Sequence, residues 1–154
     1  MLQPGDIAPE FSLPDADMDL VKSPRLWKNQ HLVLCFYPKD DTPGCTMEAL
    51  EFTDLHADFL AAGADIAGIS RDNCASHGAF RDKYGLSLLL LADTEGEVCA
   101  AYDVLREKAV NGAVRQGIVR STFLIEKGGR IRHALYDVKP KGHAPRMLEL
   151  VRSL

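Results

Sequence analysis

The stretch Leu32-Val33-Leu34-Cys35-Phe36-Tyr37 constrains the fold more than any other part of the chain. Six apolar residues closed by Pro38 read as a buried strand. After a loop of a few residues, Glu48 to Ala62 carries Phe52, Leu55 and Phe59 at helical spacing, so a helix must fold back onto that strand, and Gly63 ends it. The same unit then recurs. Ala64 to Ser70 reads as a strand, Asp72 or Asn73 caps a helix running to about Tyr84, and Gly85 stops it. Leu88 to Ala92 gives a short buried strand, Asp93 to Gly96 a turn, and Glu97 to Tyr102 a short helix. Ser121 to Glu126 and Arg130 to Tyr136 flank Lys127-Gly128-Gly129 as a hairpin, and His143 to Leu154 closes the chain as a helix with Met147, Leu150 and Val151 inward. Leu105 to Gly117 has weak periodicity and three positive charges and is expected to be a loop. Strands alternating with helices are the pattern of an α/β sheet covered by helices.

A length of 154 residues favours one domain, 1–154, large enough to bury a core. The net charge is −4 with no lysine or arginine block, which argues against nucleic acid or an anionic membrane as a partner. No apolar run approaches the roughly 18 residues of a membrane span. The first residues lack the pattern of a secretory leader, so a cytoplasmic location is expected. Cys35, Cys45, Cys74 and Cys99 lie far apart without paired metal-ligand spacing, and a reducing compartment would keep them as thiols. His31, His56, His77, His133 and His143 form no spaced ligand set either, and most are expected to be solvated; no metal or other cofactor is expected.

Cys45 falls in the first turn of the helix that follows the apolar strand. There it meets unpaired amide hydrogens and the positive end of the helix dipole, which favour the thiolate, the nucleophilic form. Pro43 suits an early helical position and Gly44 leaves room for close approach to the backbone. Plainer readings stand beside this one. Cys45 is a buried structural cysteine, Thr42 a cap or turn residue, Arg120 a surface arginine, and Glu48 a partner of the helix dipole rather than a holder of Arg120 or a loop amide.

Tyr37-Pro38-Lys39-Asp40-Asp41-Thr42-Pro43-Gly44-Cys45-Thr46, with Glu48 beyond it, resembles the active-site motif of the peroxiredoxins, in the bacterioferritin comigratory protein or Q-type branch. Arg120-Ser121-Thr122-Phe123-Leu124-Ile125 resembles that branch's second signature, and the likeness runs from Gly5, Ala8, Pro9 and Phe11 onward. The resemblance implies a thioredoxin-like fold with an N-terminal extension and a central mixed sheet. It implies a peroxidatic Cys45 that attacks a hydroperoxide, a Thr42 that orients it, an Arg120 that stabilises thiolate and transition state, and a Pro38 that shields the sulfur. Acidity alone cannot supply the rate. For any thiol, a fall in pKa from about 8.5 to about 6 gains roughly 30-fold in thiolate at neutral pH and returns roughly 10-fold in nucleophilicity. Alignment and charge stabilisation must carry the remainder.

The product would be a sulfenic acid at Cys45, which a second thiol must reduce. Members of the branch carry that thiol five residues after the first cysteine or on the later helix, but Leu50 and Arg81 occupy those places here. Cys74 lies two helical turns before Arg81 and is a possible resolving thiol if its helix unwinds; Cys99 reads as a packed small hydrophobe and Cys35 as an inert strand residue. The leading expectation is a monomeric one-cysteine peroxidase resolved by glutathione, glutaredoxin or thioredoxin. Alternatives are a thiol-based peroxide sensor or holdase, and a disulfide reductase, which the Thr42-x-x-Cys45 spacing disfavours because Thr42 takes the place of a first cysteine.

Overall fold

The computed structural model describes residues 1–154. A short antiparallel pair, β1 (Ser12–Pro14) and β2 (Leu20–Lys22), leads through α1 (Ser23–Trp27) into β3 (His31–Phe36). There follow α2 (Pro43–Ala61), β4 (Ala64–Ser70), α3 (Cys74–Tyr84), β5 (Leu89–Ala92) and α4 (Glu97–Ala101). The second half comprises β6 (Leu105–Val110), β7 (Ala113–Ile118), β8 (Ser121–Ile125), β9 (Ile131–Leu135) and α5 (His143–Arg152).

The central sheet has the order β5-β4-β3-β8-β9, parallel on the β4 and β5 side and antiparallel on the β8 and β9 side. This is the mixed α/β sheet expected from the sequence. Residues alternate across β3 as a pleated strand requires: Leu32, Leu34 and Phe36 enter one apolar layer with Trp27, Tyr102 and Phe123, while Val33, Cys35 and Tyr37 enter the other with Phe52, Phe59, Phe80 and Met147. Helices α2, α3 and α5 therefore cover one face, and α1 and α4 the other.

The register places the chemistry. Because β8 runs antiparallel to β3 with Phe36 opposite Ser121 and Cys35 opposite Thr122, Arg120 lies at the end of β3 from which the chain enters α2. Leu105 to Gly117 is not a loop. It forms the antiparallel pair β6 and β7, because Asn111 and Gly112 both take positive φ, 51° and 79°, in the two-residue turn that suits a twisted hairpin.

Candidate active site

The start of α2 fixes Cys45. Thr42 is the N-cap in an extended conformation, Pro43 opens the helix, and the first intrahelical bond runs from Thr46 N to Thr42 O at 2.8 Å. Among the described residues the amides of Gly44 and Cys45 have no partner, so they remain free donors in the turn that carries the sulfur. Glu48 follows Cys45 by three positions, one turn along the same face.

Arg120 joins the two. Its Nη2 donates to Cys45 Sγ at 3.3 Å and its Nη1 to Glu48 Oε1 at 3.1 Å. A single guanidinium thus spans carboxylate and sulfur with its fork of fixed donors. Burial works against its charge, but Glu48 and Cys45 beside it hold Arg120 above its ordinary range. Glu48 is 4 % exposed and its Oε2 has no hydrogen-bond partner. Burial pushes its carboxyl up, to about 7, against the pull of Arg120. The plain reading of Glu48 as a dipole partner is thus replaced by a direct bond to Arg120.

Thr42 Oγ1 donates to Lys39 O at 2.8 Å and makes no side-chain capping bond. With its proton spent on a carbonyl, the hydroxyl offers lone pairs to an incoming O–H. Pro38 is exposed at the loop entry. Gly44 permits a close approach: a Cβ there would stand 3.2 Å from Arg120 Nη2 and 3.4 Å from Pro140 Cγ.

Cys45 itself is 3 % exposed. Beside it lies a cavity of about 10 Å³ lined by Cys35, Tyr37, Glu48, Phe52 and Phe80, about the room of one water. Cys35 is buried there, and desolvation, then the Glu48 carboxylate, raise its thiol well above the ordinary range. Cys99 is fully buried, with desolvation and Asp93 raising its thiol. Cys74, half-buried at the start of α3, does not line this cavity.

Sequence reasoning missed the polar set that holds the loop. Asp40 Oδ1 accepts from Tyr37 Oη at 2.6 Å, and Oδ2 accepts from Ser76 Oγ at 2.8 Å and lies 2.8 Å from His77 Nδ1. His77 Nε2 lies 2.9 Å from Leu91 O, so both ring nitrogens face acceptors. Burial opposes ionisation of Asp40, yet donation from His77, Tyr37 and Ser76 outweighs it and holds the carboxyl below its usual range. Asp40 N donates to Asp72 Oδ2 at 2.8 Å. Asp40, Asp72 and His77 bring ligand-type atoms within 4.8 Å of one another, but those atoms are already bonded to each other, to Ser70, Ser76 and Leu91. The expectation that most histidines are solvated fails for His77 and His143. Both are buried, because each ring fills a position in the helix-to-sheet layer where a polar partner waits: Asp40 for His77, and Thr122 Oγ1, 2.8 Å away, for His143. Desolvation, then Arg146 and Arg120, push His143 down to about 4, so it is neutral.

Residues 4–134 match the AhpC/TSA family. Peroxiredoxin Bcp of Bacillus subtilis is 41% identical over 150 residues, covering 97% of this chain and 95% of that protein. Peroxiredoxin Bcp of Escherichia coli is 39% identical over 142 residues, 92% of this chain and 90% of that one. Among solved structures, peroxiredoxin Q of Xanthomonas campestris superposes with a TM-score of 0.88 at 37% identity, covering 99% of this chain and 96% of its own. The chain therefore belongs to the AhpC/TSA family and to its Bcp or Q-type peroxiredoxins, thiol-dependent peroxidases on a thioredoxin-like fold.

Proposed function

We propose that Cys45 is the peroxidatic residue of a one-cysteine peroxidase acting on hydrogen peroxide and organic hydroperoxides. The Cys45 thiolate attacks the nearer peroxide oxygen; a sulfur–oxygen bond forms, the oxygen–oxygen bond breaks, and the departing oxygen takes a proton to leave as water or alcohol. Thr42 Oγ1 accepts from the peroxide O–H and holds it in line, while Arg120 and the free amides of Gly44 and Cys45 meet the negative charge. Pro38 walls the loop entry. Glu48 positions Arg120. The observation that carries this reading is the single guanidinium bonded at once to Cys45 Sγ and Glu48 Oε1. A similar protein, the Xanthomonas campestris bacterioferritin comigratory protein, is described as reducing alkyl peroxides.

The sulfenic acid left on Cys45 is reduced by an external thiol, glutathione, glutaredoxin or thioredoxin. Positions 50 and 81 hold Leu and Arg, and Cys74 stands outside the cavity at Cys45. The first turn of α2 must open for that exchange, since the sulfur is buried. The whole chain, 1–154, works as one monomeric antioxidant unit in the cytoplasm, without a cofactor, maintaining cellular redox balance. In a stopped-flow single turnover, the reduced protein should consume one equivalent of peroxide, and Cys45→Ser should consume none at that rate; fast consumption by the variant removes the proposal.

A further inference from the structure

Between the end of β9 and the start of α5 lies a cleft of about 520 Å³ whose lining includes Lys139, Lys141, Arg146, His143, Tyr136 and Asp137. That volume is in the range of small-molecule sites. In a chain of net charge −4, this wall carries three fixed cations against one carboxylate. None of the three cations forms an ion pair among the described residues. Glu51, whose two carboxylate oxygens each accept from Gly142 N at 3.2 Å, lies at the edge of the cleft.

The cleft is coupled to the reaction centre by short links. Val138 N donates to Arg120 O at 2.8 Å, and Pro140, between the two lysines, packs toward Gly44, one residue from Cys45. His143, which lines the cleft, lies 2.8 Å from Thr122 Oγ1, and after desolvation the charges of Arg146 and Arg120 are what depress it. The cavity at Cys45 holds about 10 Å³, enough for a water-sized group, whereas the cleft suits a larger anion.

Resting on the one-cysteine reading above, we propose that this cleft binds the reductant, and that the reductant is a low-molecular-weight thiol bearing carboxylates. Lys139, Lys141 and Arg146 hold its carboxylates and aim its sulfur at the opened first turn of α2. The thiol sulfur bonds to the Cys45 sulfur as the sulfur–oxygen bond breaks and the hydroxyl leaves as water with the thiol's proton. A second equivalent displaces the first, forming the external disulfide and restoring the Cys45 thiol.

The test uses the full chain with Lys139→Glu and Lys141→Glu combined. Wild type and variant are oxidised with one equivalent of peroxide and then mixed with glutathione, with glutathione diethyl ester or with 2-mercaptoethanol. Charge reversal should slow reduction by glutathione on the order of 10-fold and leave the ester and 2-mercaptoethanol within about twofold. Added salt should slow glutathione with wild type and not with the variant. Equal slowing of all three thiols, or of none, overturns the proposal. A slowed reaction of the variant with a carboxylate-bearing hydroperoxide, with thiol rates unchanged, assigns the cleft to the oxidant and also overturns it. The oxidation step is read separately, so failure of Cys45 to react with peroxide at all marks failure of the underlying peroxidase reading instead.

Discussion

At the residue scale, Arg120 has two jobs that its geometry keeps distinct. The bond to Cys45 serves the reaction, and the bond to Glu48 serves its own placement. Arg120→Ala should slow the peroxide step by roughly 100-fold, read by stopped-flow, with Arg120→Lys restoring little because an ammonium lacks the fork. Gly44→Ala places a methyl 3.2 Å from Nη2 and should slow the same step without lowering the unfolding midpoint. Glu48 and His143 give a paired prediction in pH. Native Glu48 keeps its proton to about 7 whereas the unfolded group releases it near 4.5, so this group makes stability fall as pH rises between those values. His143 has the opposite sign. Its native value of about 4 against 6.5 unfolded makes stability rise over that window. The two offset each other in the wild type. Urea denaturation of Glu48→Gln should therefore show stability climbing by roughly 2 kcal/mol more than the wild type from pH 4.5 to 6.5. Cys45 and Thr42 were legible as residues because strand, loop and helix start are local signals. Arg120 stands 75 positions from Cys45, and only the resemblance pointed to it.

At the scale of elements, the loop between β3 and α2 is held from the side by α3. Tyr37 and Asp40 reach Ser76 and His77, and Asp41, at a φ of 56°, is met by Lys83 Nζ at 2.7 Å and Tyr84 Oη at 2.6 Å. Removing Asp40 leaves the buried His77 ring without its hydrogen-bonded carboxylate. Asp40→Ala should cost about 3 kcal/mol in denaturant unfolding, far above the effect of Asp41→Ala at the exposed end of the same loop. No periodicity in the sequence announces this tie, because it joins a loop to a helix 37 positions away. The hairpin of β6 and β7 was missed for a different reason. Its strands are largely exposed and lack apolar alternation, while the Asn111-Gly112 pair, a recognised turn signal, was present in plain sight.

At the scale of the molecule, the sheet order decides which distant segments meet. Antiparallel β8 delivers Arg120 to the sulfur, and the segment after β9 lays Lys139 and Lys141 along the neighbouring edge. The alternation of strands and helices made the α/β class readable, but the pairing of β8 with β3 depends on long-range packing that a run of apolar residues does not specify. With resolution from outside, Cys74→Ser should keep most steady-state turnover in the presence of added thiol, checked by a coupled peroxidase assay. The account turns on where the oxidising equivalent goes first. Intact-mass and peptide analysis after one equivalent of peroxide should find one added oxygen, trapped at Cys45 by a sulfenic-acid reagent. Loss of two hydrogens in an internal disulfide, or oxygen on another cysteine with Cys45 untouched, would contradict it.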